Sequence, residues 1–221
     1  MQRISSISFD QALPLVFRTV AGDESVKHSD VWLCNCRFER PRQYIVEAAS
    51  GTGKSSMCSF IYGNRHDYDG VIKFNDTDIR SYTVDDWCEL RRRHIALLPQ
   101  EMRLFPELTA RENILLKNRL TDFRSEEEIR HMLEAFEILH KYDTPARLLS
   151  IGQQQRVAIV RTLCQPFDFV LVDEPVSHLD AANNAIAADM IVKAAEAQEA
   201  GIIATSVGNQ LQLPAPTVIR L

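Results

Sequence analysis

The segment QYIVEAASGTGKSSMCSFIY, residues 43–62, constrains this chain more than any other. A β-type run, Gln43 to Ala48, passes straight into a glycine-rich turn. A helical pattern follows from about Lys54 to Tyr62 and stops at Gly63. A phosphate-binding loop needs backbone N–H groups converging on an anion, a helix N-terminus behind them, and freedom for positive φ. Gly51 and Gly53 supply that freedom, Lys54 a mobile positive charge, and Ser55 a hydroxyl. The pattern G-x-x-x-x-G-K-[ST] has glycine at its first position, where this chain has Ala48. That methyl group is tolerable if φ is negative there. Taken alone, G-T-G-K-S also reads as an ordinary turn; a strand before it and a helix after it favour the phosphate loop.

The rest of the chain repeats the strand–helix alternation. Ile4 to Phe9 and Val31 to Phe38 read as strands, "GVIKFNDTDI" as a short strand and turn, and "HIALLP" as a buried strand. Helices open with S/T-x-x-D/E capping signals at Thr83/Asp86, Thr109/Glu112 and Ser125/Glu128. After the helical "IGQQQRVAIVRTL" comes "FDFVLVDEP", an apolar run typical of a central parallel strand. A long helix is expected from about Asp180 to Ala197, then strands at Ile202 to Thr205 and Thr217 to Leu221. Such units predict an α/β fold with a parallel sheet covered by helices. The mostly helical stretch from about Gln100 to Pro145 reads as a subdomain inserted between strands.

Composition narrows the classes. A chain of 221 residues, 45% hydrophobic, is long enough to bury one sizeable core. A net charge of −5 leaves no electrostatic footprint for nucleic acid. No apolar run reaches the roughly 18 residues of a membrane span, and the N-terminus does not read as a secretory signal. Five cysteines without a C-x-x-C pair argue against a disulfide framework or zinc site and for a reducing setting; Cys34 and Cys36 would share one strand face.

"LLSIGQQQRVAIVRTL" followed closely by "FVLVDEPVSHLD" resembles the ATP-binding-cassette (ABC) ATPases. Their signature L-S-G-G-Q corresponds to Leu149, Ser150, Ile151, Gly152 and Gln153, and their Asp-Glu pair to Asp173 and Glu174. Lys54 and Ser150 lie 96 residues apart, the size of the family's helical insertion. Gln100 in "LLPQ" stands at the family's glutamine loop and Asp180 in "SHLD" at its D-loop. The resemblance implies a P-loop NTPase core with a mostly parallel sheet, an inserted α-helical signature subdomain and an N-terminal antiparallel β portion. It also implies one ABC ATPase domain over residues 1–221, with core 1–99 and 156–221 and the helical subdomain at about 100–155.

The resemblance assigns roles residue by residue. Ser50, Gly51, Thr52, Gly53, Lys54, Ser55 and Ser56 would cradle the phosphates of ATP, and Ser55, Gln100 and Asp173 would attend Mg2+. A carboxylate ending a buried strand, as Asp173 does, is costly without such a partner. Glu174 would be the base that polarises the attacking water. Ser150 makes an S-x-x-Q box with Gln153 and so caps its own helix. That helix N-terminus, with the Gly152 N–H, is also an anion site. The family applies it, with the D-loop, across a dimer in which two ATP molecules sit between loop and signature. An aromatic stacks on adenine in relatives; Phe17 is the candidate here, with Phe9 and Trp32 as rivals, each of which also reads as core.

Two departures from the family pattern stand out. Pro41-Arg42 replaces Gly-Glu before the loop strand, a minor turn change. Ser206, 32 residues after Glu174, stands where the family has a histidine that contacts the γ-phosphate. His178 is the last histidine in the chain and belongs to the D-loop. "LRRRHIALLPQEMRLFPELTARENI" resembles the lipoprotein-release, macrolide-export and cell-division branch, whose ATPases dock on membrane-embedded permease subunits at the cytoplasmic face. The block from Met102 to Pro106 would meet the permease's coupling helix, or else belong to the helical lobe's core. Two classes stay open: a hydrolysing motor subunit, acting as a homodimer or paired cassette, and a nucleotide-binding regulatory or assembly subunit with slow turnover.

Overall fold

The computed structural model describes residues 1–20, 26, 28–47, 49, 51–208 and 210–221, the side chains of Thr19 and Val20 excepted. Ala48 and Ser50 of the glycine loop lie outside the described residues. Two sheets form. The first is antiparallel, in the order β2-β1-β4-β5, from β1 (Ser6–Pro14), β2 (Asn35–Glu39), β4 (Tyr68–Phe74) and β5 (Thr77–Asp78). The second is parallel, in the order β6-β7-β8-β3-β9, from β3 (Gln43–Glu47), β6 (Ile95–Leu98), β7 (Phe169–Asp173), β8 (Gly201–Ser206) and β9 (Thr217–Arg220).

The helices fall where the capping signals put them. They are α1 (Lys54–Ile61), α2 (Val84–Arg93), α3 (Ala110–Asn118), α4 (Glu126–Ala135), α5 (Ile151–Thr162) and α6 (Ala181–Glu196). Full capping boxes close the N-termini of α2, α3, α4 and α5 through Thr83/Asp86, Thr109/Glu112, Ser125/Glu128 and Ser150/Gln153. Each box satisfies orphan N–H donors, and removing such a cap typically costs about 1 kcal/mol. No helix among the described residues is long and apolar enough to cross a membrane.

Strand alternation divides the core in two. Val170 and Val172 of β7 turn to one face with Ile45, Ile202 and Ala204, against apolar residues of α3, α4, α5 and α6. Phe169 and Leu171 turn to the other with Tyr44, Val46 and Ile203, against α1 and the antiparallel sheet. Both faces of the central strands are therefore covered, and all five residues of β7 are buried. Between β6 and β7 the described elements are helical: α3, α4, α5 and short 3-10 turns.

Two strand expectations need correction. The strand expected from Val31 begins only at Asn35. The Ser29 hydroxyl accepts from the N–H groups of Val31 and Trp32 at 3.1 and 2.8 Å, and Leu33 has φ of 56°. That local turn competes with the ladder, and Cys34 precedes the strand instead of sharing a face with Cys36. β1 runs further than Phe9, because a bulge between Asp10 and Leu13 interrupts the alternation that a sequence reading follows. Gly70 on β4 has φ of 76°, and a Cβ there would lie 2.3 Å from the Gln11 carbonyl oxygen. Only glycine fits opposite the bulge.

Asp168, just before β7, gathers the edges of the molecule. Its carboxylate accepts from Arg3 Nε at 2.8 Å, Arg40 Nη1 at 2.9 Å and the Ile4 N–H at 2.8 Å, and meets His94 Nδ1 at 2.6 Å. Burial alone would push its carboxyl up, but hydrogen bonds from His94, Arg3 and Ile4 outweigh this and hold it below the usual carboxylate range. A depressed carboxylate stabilises the fold above its unfolded pKa, and that contribution fades as pH falls through the folded value. Asp168→Asn should therefore cost about 3 kcal/mol at neutral pH. In denaturant unfolding, the gap between wild type and variant should begin to close only as pH falls below about 4, the ordinary aspartate value, and should go on closing through the lower folded value.

Candidate functional site

β3 delivers the chain to the glycine loop, and Gly53 closes the loop in a left-handed conformation, φ 100°, as the N-cap of α1. A Cβ on Gly53 would lie 2.9 Å from Phe17 Cε2 and 3.1 Å from Trp32 Cζ2, so aromatic rings back this turn. Trp32 is buried, and its indole N–H donates to the Thr52 carbonyl at 2.9 Å, which makes it a support of the loop. Phe9 is buried too, edge-on to Trp32 and Phe38. Phe17 alone of these three aromatics keeps part of its ring exposed beside the loop.

Lys54, the first residue of α1, is 5% exposed. Its ammonium donates to the Ala49 carbonyl at 2.9 Å and stands 4.0 Å from Glu174 Oε1. Burial lowers its pKa, against the pull of Glu174 and Asp173. The Thr52 hydroxyl also donates to the Ala49 carbonyl, at 2.9 Å. Ser55 is exposed at the front of the helix, while the Ser56 hydroxyl accepts from Arg65 at 2.9 Å.

β7 ends at Asp173, and Glu174 follows with φ of 50°. Ser55, Gln100 and Asp173 line one cavity of about 200 Å³. Gln100 donates to Glu174 Oε2 at 3.0 Å. Loop, glutamine and both carboxylates thus meet at the C-terminal ends of the parallel strands, where open α/β sheets bind ligands. Among the described residues no group of three or more His, Cys, Asp or Glu side chains could hold a metal alone. Ser55, Gln100 and Asp173 bring a hydroxyl, an amide and a carboxylate to this cavity, a set that suits a hard cation sharing ligands with phosphate and water.

The other motif residues stand elsewhere. Ser150 and Gln153 hydrogen-bond to one another at the start of α5, and Asp180 caps α6 by accepting from the Asn183 N–H at 2.8 Å. That hydrogen bond holds the Asp180 carboxyl below its ordinary pKa. A Cβ on Gly152 would stand 3.1 Å from the His178 carbonyl, so the signature turn lies against the D-loop of its own chain. His178 exposes its ring, with Nδ1 at 3.0 Å from the Ser177 hydroxyl. Ser206 ends β8, is 3% exposed, and lines a separate cavity of about 580 Å³ with Ala49, Thr52, Glu47 and Arg220.

Two residues at the site escape the motif reading. Thr205 faces Asp173 across the β7–β8 ladder and donates to its Oδ1 at 2.6 Å. Gln155, buried in α5, reaches the segment that follows Glu174. Both sit in plain sight beside a motif; only their direction, set by strand register and helix phase, distinguishes them.

A family model described as ABC transporter matches residues 36–177. The lipoprotein-releasing system ATP-binding protein LolD of Novosphingobium aromaticivorans is 32% identical over 187 residues, 82% of this chain and 83% of that protein. The macrolide export ATP-binding/permease protein MacB of Campylobacter jejuni is 29% identical over 71% of this chain and 25% of its own length. A solved dimeric structure of the ATP-binding cassette MJ0796, in a post-hydrolysis state bound to ADP and Pi, superposes with a TM-score of 0.69. It is 26% identical and covers 78% of this chain and 77% of its own. On the match of the family model and of these relatives, the chain belongs to the ATPases of the ABC transporter family.

Proposed function

We propose that this ATPase drives a membrane transporter of the lipoprotein-release and macrolide-export kind, as one of two cassettes that close on a pair of ATP molecules. The observation that carries the reading is the single cavity lined by Ser55, Gln100 and Asp173, with Glu174 hydrogen-bonded to Gln100 and 4.0 Å from Lys54. In this reading the N–H groups of Gly51 to Ser56 hold the phosphates of ATP, and Lys54 leaves Ala49 and Glu174 to meet the terminal phosphate. Phe17 offers its exposed face to adenine. Ser55 and Asp173, with Gln100 in reach, would hold Mg2+, which when bound would spread the phosphate charge. Glu174 orients the attacking water and takes up its proton.

Ser150, Gly152 and Asp180 make only local bonds within their own helix starts. An exposed helix N-terminus is suited to a phosphate brought by a second copy, which supports a two-fold pairing of loop with signature. Phe105 and Leu116 are 57% and 43% exposed beside a cavity of about 330 Å³ that also includes Arg103, Lys117 and Arg161. That surface supports docking of a permease helix at the cytoplasmic face of the membrane. The relatives named for lipoprotein release and macrolide export fit such a division of labour.

If Glu174 is the base and the pair closes on ATP, Glu174→Gln should lower turnover at least about a hundredfold. It should also turn the chain into an ATP-dependent dimer by light scattering. A variant that stays monomeric with ATP would sink the two-cassette reading.

Ser206 favours slow intrinsic turnover as a second feature of the same machine. A serine hydroxyl offers one short donor and no charge, where imidazole reaches further and can be cationic. One lost donor to developing phosphate charge typically costs on the order of 3 kcal/mol in the transition state, about a hundredfold in rate. The cavity of about 580 Å³ beside Ser206 leaves room for a ring. Ser206→His should therefore raise steady-state ATPase by roughly tenfold or more, with nucleotide affinity within about twofold. Brisk wild-type turnover that the histidine does not improve would remove this feature.

A further inference from the structure

Glu174 carries a side chain in the left-handed region, φ 50°, which residues with a Cβ avoid unless their surroundings hold them. Two side chains outside the family motifs grip it. On one side the Glu174 N–H donates to the Thr205 hydroxyl at 3.1 Å, while that hydroxyl donates its proton to Asp173 Oδ1 at 2.6 Å. Thr205 is 1% exposed and stands opposite Asp173 in the ladder, and its β-branched χ1 is stiff. A hydroxyl has one proton to give, so this one is committed to the carboxylate and its lone pair to the Glu174 amide.

On the other side Gln155, 2% exposed in α5, donates through Nε2 to the Pro175 carbonyl and, at 3.5 Å, to that of Glu174. Its Oε1 accepts from the His178 N–H at 3.1 Å. The backbone turn that aims the Glu174 carboxylate at Gln100 and Lys54 is thus held from β8 and from α5 at once.

We infer that Thr205 and Gln155 are positioning residues that clamp Glu174 in its working direction, and that Gln155 ties this direction to the helix bearing Ser150 and Gly152. The inference rests on Glu174 acting as the base. Neither residue touches the nucleotide cavity, so their effect falls on the rate of the chemical step and not on ATP capture.

The test compares wild type with Thr205→Val, Thr205→Ser, Gln155→Leu, the Thr205→Val/Gln155→Leu double variant and Glu174→Gln. Steady-state kcat and KM for ATP are measured alongside Tm and equilibrium affinity for a fluorescent ATP analogue. Thr205→Val keeps the shape and loses both hydrogen bonds; kcat should fall about tenfold to a hundredfold, with KM and affinity within about twofold. Thr205→Ser keeps the hydroxyl and should restore most of the rate. Gln155→Leu should lose about tenfold in kcat, and the double variant less than the product of the single losses, because both act on one group. Wild-type kcat in Thr205→Val, or an equal loss in Thr205→Ser, overturns the Thr205 half. Fully multiplicative losses overturn the shared clamp. Should Thr205→Val fail to fold, Thr205→Ala, which also removes the hydroxyl, takes its place with the same outcomes. Retained turnover in Glu174→Gln would show that the base reading itself is wrong. Loss there, with normal kcat in Thr205→Val and Gln155→Leu, would reject the clamp alone.

Discussion

A carboxylate buried at the end of a central strand sets the terms for its neighbours. Asp173 is 5% exposed and closes a strand flanked by β6 on one side and β8 on the other. Such a charge is expensive unless donors and a counter-charge accompany it. Thr205 supplies a hydroxyl, and Lys54, itself buried, has its pKa lowered by desolvation while Glu174 and Asp173 pull it back up. Each of these groups would be costly without the others. The glycine loop, the end of β7 and the end of β8 are therefore placed by one electrostatic requirement. A one-residue slip of β7 would send every side chain to the wrong face and leave Lys54 beside valine.

The same register explains why consecutive residues of β8 serve different ends. Thr205 pairs with Asp173 across one edge of the strand, and Ser206 pairs with Glu47 of β3 across the other. Thr205 bonds to the Asp173 carboxylate and the Glu174 amide, while Ser206 borders the cavity on the Ala49 and Thr52 side of the loop. Position 205, through these two bonds, ties Asp173 to the backbone of Glu174.

Much of this was legible in the sequence because the decisive features are local. Capping boxes at Thr83, Thr109, Ser125 and Ser150 join residues three apart, and the glycine loop is read from neighbours. The buried run FVLVD announces a strand covered on both faces. What stayed hidden depends on partners distant in the chain. The bulge in β1 is accommodated by Gly70, and the strand expected from Val31 gives way to a turn around Ser29, from which the Trp32 indole reaches the Thr52 carbonyl. Thr205 looks like any β-branched strand residue, and Gln155 like one more glutamine in a row of three, until register and helix phase turn them toward Glu174. The ordering of the three aromatics likewise follows from burial: Phe9 and Trp32 are enclosed, and Phe17 is not.

Position 206 can be placed within this frame. A substitution there alters what faces the loop from β8 but leaves the Asp173–Thr205–Glu174 chain of hydrogen bonds complete. Thr205 holds the Asp173 carboxylate and the Glu174 amide, and Lys54 donates to the Ala49 carbonyl. A change at 206 therefore falls on the Ala49 and Thr52 side of the loop. Thr205 and Ser206 are consecutive in one strand and so turn to opposite faces of the sheet, which is why two neighbours in sequence border different parts of the site.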